Sequence, residues 1–159
     1  MPYNIFISHS TKDYQTAQNI NMWLRQLPNI DTFLSEDNII PGILSKKILN
    51  EIKICDVFLL LYSINSHNSQ YVQNEIGAAL SQHKILIILS LDGIKPNAML
   101  QGYTYYQIYD QQEAGKFFPK LHQYISEQVR AKANNDLLLS MLVIFAGIGG
   151  AAIYIASQK

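Results

Sequence analysis

The chain has 159 residues, with 12 basic and 12 acidic side chains and a formal net charge of zero. That length suffices for one domain with a sizeable core, and no basic stripe interleaved with aromatics points to nucleic acid as a partner. The sole cysteine, Cys55, lies in the apolar run ICDVFLLLY, which excludes an intramolecular disulfide framework and a cysteine-rich zinc site and predicts a thiol packed in the core.

In chain order, MPYNIFISHS lacks a basic region leading into an apolar core and does not read as a secretory signal. YNIFIS (3–8) is a short β-rich run. In residues 13–27, Ala17, Ile20, Trp23, Leu24 and Leu27 recur at helical spacing before Pro28. DTFLS (31–35) reads as a second strand, and the loop EDNIIPG precedes a helix over 44–54. DVFLLLY (56–62) is a continuous apolar run, as expected of a central strand covered on both faces. INSHNS reads as a loop, after which Asn68 or Ser69 can cap a helix over 70–83. KILIILS (84–90) is another buried strand, LDGIKP a turn, and YTYYQIY (103–109) a fifth strand. EAGKFFPKLHQYISEQV (113–129) gives the last helix of the domain, with Pro119 expected near its first turn. Five β-runs separated by helices predict an α/β, flavodoxin-like doubly wound parallel sheet. Sites in such sheets lie outside the carboxyl ends of the strands, here SHSTKD, SEDNIIPG and SINSHNSQY.

Residues 137–156, LLLSMLVIFAGIGGAAIYIA, carry no charge over twenty positions. At 1.5 Å per residue such a helix spans about 30 Å, the thickness of bilayer hydrocarbon. A buried core helix normally keeps a polar stripe, whereas this one offers only Ser140 and Tyr154. The expected organisation is a domain over 1–129, a juxtamembrane linker over 130–136, a single transmembrane helix over 137–156 and a tail over 157–159. Arg130 and Lys132 before the span against Lys159 after it agree with a tail anchor whose domain lies in the cytosol, at a cytoplasmic membrane. The pairs Ala146/Gly150 and Gly147/Ala151 are spaced for close helix–helix approach in lipid, although Gly and Ala are also common in such helices.

Several chemistries find no support. Neither GxGxxG after the first strand nor GxxxxGK[ST] occurs, and His9, His67, His83 and His122 show no metal-ligand spacing. Ser8, His9 and Asp13 share one local loop without a nucleophile elbow, so a hydrolase triad is not expected. SQYVQNEIGAAL (69–80) is more informative. Val72, Ile76, Ala79 and Leu80 form one apolar helix face, and Glu75 lies about 60° from Val72, among Ala79, Tyr71 and Ala78. A carboxylate on the flank of a buried stripe is either a partly solvated helix residue or a functional group turned toward the cleft.

YNIFISHSTKD, FLSEDNIIPG, DVFLLLYSINS and SQYVQNEIGAAL together resemble, in order and spacing, the bacterial-type Toll/interleukin-1 receptor (TIR) domain. The resemblance covers roughly residues 1–127 and implies the same five-stranded sheet. It likens EDNIIPG (36–42) to the family's loop after the second strand, often used in self-association. Some TIR domains are binding modules; others cleave NAD+ at the nicotinamide–ribose bond with a glutamate four residues after a tryptophan. Ser69, Tyr71 and Glu75 match that pattern with tyrosine in the tryptophan position. The resemblance therefore implies Glu75 as the catalytic residue and His9, Ser10, Ser35, Asp37 and Tyr71 as substrate contacts. Asp37 and Ser35 read equally well as turn-formers, and His9 as loop structure. Arginines found in the first loop of some catalytic members are replaced here by His9, Ser10, Thr11 and Lys12.

No metal or redox cofactor is implied, because NAD+ is the substrate. Its nicotinamide leaves a pyridinium as a neutral molecule, so no general acid is needed, unlike ordinary glycoside hydrolysis. A single carboxylate can stabilise the oxocarbenium charge or hold the ribose hydroxyls. The expected function is thus a membrane-anchored NAD+ glycohydrolase or cyclase, self-associating through its TIR domain, in a setting of defence against phage. The alternative is a non-catalytic adaptor that recruits other TIR proteins to the membrane.

Overall fold

Strand β1 (Tyr3–Ser8) leads through a 3-10 turn (Thr11–Asp13) into helix α1 (Tyr14–Leu24). Strand β2 (Ile30–Leu34) and helix α2 (Lys46–Ile54) follow, then strand β3 (Val57–Tyr62), the single-turn helix α3 (Ile64–His67) and helix α4 (Gln70–Ser81). Strands β4 (Ile85–Ser90) and β5 (Tyr105–Gln107) and helix α5 (Gln111–Ala133) complete the order. The structure is a computed structural model that describes residues 2–35 and 44–133. The predicted span 137–156, most of the linker, the tail and Asp37 lie outside the described residues. Among the described residues no helix is long and apolar enough to cross a membrane.

All strand pairs are parallel, in the order β2-β1-β3-β4-β5. This is the predicted doubly wound sheet, whose order reverses between β1 and β3. Side-chain alternation divides the core into two layers. Ile5, Ile7, Leu59 and Leu61 face α1 and α5 through Ile20, Leu24, Leu121 and Ile125. Phe6, Phe58, Leu60 and Tyr62 face α2 and α4 through Ile48, Ile52, Val72 and Ile76. Every residue of β3 is buried, which explains its uninterrupted apolar run. Phe6 stacks between Phe33 and Phe58, with ring centroids 5.4 and 5.3 Å away.

Three local expectations are corrected. INSHNS is not wholly a loop: Ser63 Oγ accepts from the amides of Asn65 and Ser66, and Ser66 Oγ accepts from the Ser63 amide at 2.7 Å, closing one helical turn. Strand β5 pairs over only three residues, Tyr105 to Gln107, because it meets just the carboxyl half of β4 at the edge of the sheet. Helix α5 starts at Gln111 and runs to Ala133, which places Pro119 about two turns in. Gly115 stands four residues before it, where the ring meets the preceding turn.

Two turns at the amino edge need left-handed backbone. Asn29 (φ 58°) and His83 (φ 52°) reverse the chain after α1 and α4 so that β2 and β4 can begin. The amino edge is also tied by charge. Lys132 Nζ, from the last turn of α5, donates to Asp56 Oδ2 at 2.6 Å and to the Pro2 carbonyl at 2.8 Å. Asp56 Oδ2 also accepts from the Asn4 amide at 2.7 Å.

Candidate functional site

Glu75 projects from α4 and is 0% exposed. The helical wheel put it on the flank of the apolar stripe; packed in the domain, it belongs to the buried face with Val72, Ile76 and Ala79. Its Oε2 accepts from Ser8 Oγ at 2.5 Å, and its Oε1 accepts from Ser35 Oγ. Ser8 ends β1 and Ser35 directly follows β2, where its amide donates to the Ile7 carbonyl at 2.9 Å. A carboxylate from a helix thus meets hydroxyls from two adjacent strand ends, 67 and 40 residues away in sequence. Removing a carboxylate from water is costly unless donors replace the lost hydration, and the two serines supply such donors.

Two of the predicted contacts stand at the end of β1 with different roles. His9 is 2% exposed, and its Nδ1 lies 2.8 Å from the Ser10 carbonyl oxygen. A carbonyl only accepts, so Nδ1 carries the proton, and in neutral imidazole Nε2 holds the lone pair. Nε2 is buried with no hydrogen-bond partner among the described residues, and the ring lies 5.9 Å from that of Tyr14. Ser10 is a cap: its Oγ accepts from the Lys12 amide at 3.2 Å and starts the 3-10 turn.

Tyr71 sits one helical turn before Glu75 and packs against the α2–α4 side of the core. The structure therefore brings Ser35 together with Glu75, keeps Tyr71 on the same helix, and gives His9 and Ser10 places in the neighbouring loop. Asp37 lies outside the described residues.

Ser8 was missed as a partner of Glu75, although the ending of successive strand runs in serine (FIS, FLS, LYS, ILS) is visible in the sequence. Asp13 was also missed. It accepts from Ser63 Oγ at 2.5 Å and from Asn65 Nδ2 at 3.0 Å, tying the loop after β1 to the start of α3. These contacts rule out a triad of Ser8, His9 and Asp13, since each has a different partner. Tyr62, whose hydroxyl titrates above its ordinary value because of burial, bonds Asn97 Oδ1 at 3.0 Å and stands 3.1 Å from His67 Nδ1. It links α3 to the loop after β4. Among the described residues no three His, Cys, Asp or Glu side chains gather as metal ligands would. A cleft of about 220 Å³ between β2 and α2 lies elsewhere, lined by Asn4, Asp31, Phe33, Glu51 and Ile54 among others.

A family model described as "TIR domain" matches residues 5–122. No curated protein matches the chain. Among solved structures, the chain is similar to the TIR domain of the Toll-related receptor TRR-2 from Hydra magnipapillata. The identity is 18%, the TM-score 0.64, and the match covers 78% of this chain and 98% of that one. It is also similar to the structure of Clostridium botulinum CMP N-glycosidase, BcmB, at 17% identity and TM-score 0.52, over 70% of this chain and 94% of that one. At these identities both similarities concern the fold.

Proposed function

The chain belongs to the TIR domain family, and on that premise we propose that it is an N-glycosidase acting on NAD+, a glycohydrolase or cyclase that breaks the nicotinamide–ribose bond. Glu75 carries the proposal: a buried carboxylate at the carboxyl ends of β1 and β2, with one serine hydroxyl on each of its oxygens. A ribose presents two neighbouring hydroxyls. When Ser8 and Ser35 give way, that pair can take their places, one on each carboxylate oxygen. The carboxylate then lies against the sugar as positive charge develops on it. Preorganised charge of this kind, shielded from water, is a large contribution to lowering a barrier.

Leaving-group chemistry favours NAD+ over a nucleotide such as the CMP named for the Clostridium botulinum structure. Nicotinamide departs neutral, so one carboxylate suffices, whereas cytosine departs as an anion unless a proton donor assists it. On this reading Tyr71, one turn from Glu75, packs on the base or ribose. His9 Nε2 is a buried acceptor for a ligand hydroxyl or amine, and Asp37 belongs with these contacts on the resemblance alone. NAD+ is the substrate and no cofactor is needed.

Residues 137–156 anchor the protein in a cytoplasmic membrane with the TIR domain in the cytosol, and the Gly/Ala pairs in that segment assist self-association there. Anchoring raises the local concentration of TIR domains, so that assembly can complete the site. Depletion of NAD+, or production of a cyclic or substituted ADP-ribose, would serve defence against phage.

The test is to cluster the full chain on vesicles, supply NAD+ and CMP side by side, and follow both by mass spectrometry with Glu75→Ala in parallel. Loss of NAD+ that depends on Glu75 is expected. Turnover of neither substrate by the clustered protein would leave the adaptor reading, in which the TIR surface recruits a partner. Turnover of CMP alone would keep the N-glycosidase and overturn the choice of substrate.

A further inference from the structure

We propose that the amino edge of the sheet is the surface this protein lays against a lipid bilayer, with phospholipid headgroups as its occupant, so that the Glu75 crevice faces away from the membrane. The proposal rests on the anchored reading of residues 137–156 given above.

The exit point of the chain is what fixes the orientation. Helix α5 begins beyond the carboxyl end of β5 and runs back across the sheet. Its last turn is held at the amino edge, where Lys132 bonds Asp56 just before β3 and Pro2 just before β1. Ala131 beside it is buried. The end of α5 is therefore part of the body of the domain. Only residues 134–136 separate it from the apolar run. Three residues span at most about 10 Å even when fully extended. The strands add about 20 Å between the amino edge and the carboxyl edge where Glu75 lies. A tether this short and a domain this deep leave the amino edge next to the headgroups.

The chemistry of the edge suits that occupant. Helix C-termini place Arg25, Lys53 and Arg130 there, all exposed. Ile54, beside Lys53, is 50% exposed. Exposed cations and an aliphatic side chain on the same edge of the sheet suit an anionic headgroup layer, where cations meet phosphate and an aliphatic group reaches the acyl boundary. Asp31 and Glu51 line the cleft beside β2. Asp56 is committed to Lys132.

The full chain, reconstituted in phosphatidylcholine–phosphatidylglycerol vesicles, tests this with a single fluorophore at Gln26→Cys on the amino edge or at Ile64→Cys on the carboxyl edge. Both positions are exposed, whereas the native Cys55 is buried in the core. With a spin-labelled headgroup as quencher, several-fold stronger quenching at position 26 than at 64 is expected. Equal quenching, or stronger quenching at 64, overturns the orientation while leaving the anchor in place. Release of the chain by carbonate wash overturns the anchor and the orientation together.

Discussion

At the amino edge of the sheet, polar groups meet near solvent as a lysine, an aspartate and main-chain carbonyls. At the carboxyl edge, a glutamate and two serines are sealed from water. The same strands join the two ends, so strand composition does not explain the contrast. The amino edge has a sufficient structural account. Helix C-termini leave carbonyls without partners, and cations satisfy them, as Lys84 Nζ does for the carbonyls of Lys53 (2.6 Å) and Cys55 (2.8 Å). The carboxyl edge has no such account. A buried carboxylate ringed by hydroxyls commonly stabilises a fold no better than apolar side chains of similar volume. Polar groups kept inside where stability does not call for them are what single out the carboxyl edge for the proposed chemistry.

The contrast can be broken or sharpened by substitution. Glu75→Gln has the largest expected effect: a loss of about 10²- to 10³-fold in NAD+ cleavage, with a melting temperature unchanged or raised. A collapse of the fold in that variant would move Glu75 to the structural side of the comparison. Ser8→Ala and Ser35→Ala come next. Each leaves the buried carboxylate short of one donor and costs about 1–3 kcal/mol by denaturant titration. Losses near zero for both would mean that the carboxylate recruits other donors. At the opposite edge, Lys132→Met removes a pair whose side chains are 18% and 27% exposed. It should cost about 1 kcal/mol, or a few degrees in melting temperature. The smallest effect is Asn29→Gly, which relieves a left-handed residue at φ 58° and should stabilise by a few tenths of a kcal/mol, about the limit of calorimetry.

Much of this architecture is legible in the sequence because it is periodic. The uninterrupted VFLLLY announces a strand covered on both faces, and the spacing of Val72, Ile76 and Ala79 announces a helix lying on the sheet. What escaped depends on contacts that periodicity does not carry. Helix α3 is one turn held by the side chains of Ser63 and Ser66, in a segment whose composition otherwise suits a loop. The start of α5 is hidden because QQEAG holds no apolar spacing, so periodicity alone begins the helix later and puts Pro119 nearer its start. The depth of Glu75 escaped for another reason. A wheel shows which way a side chain points from its helix, and burial depends on what lies across from it. Here the ends of two strands lie across from it, and only the folded chain brings them there. The resemblance pointed to Glu75 and Ser35 separately; their contact, and Ser8 as the third member, came from the structure.

The bond between Lys132 and Pro2 joins residues 130 apart in sequence. A contact that closes so long a loop forms late, after the strands between its ends have assembled. Its loss should leave the refolding rate nearly untouched and speed unfolding, since interactions absent from the folding transition state act on the rate of escape. Among the described residues it also ties the C-terminal end of α5 to the body of the domain. If the chain is tethered beyond α5 as proposed, Lys132→Met should shorten the time the domain stays folded under load.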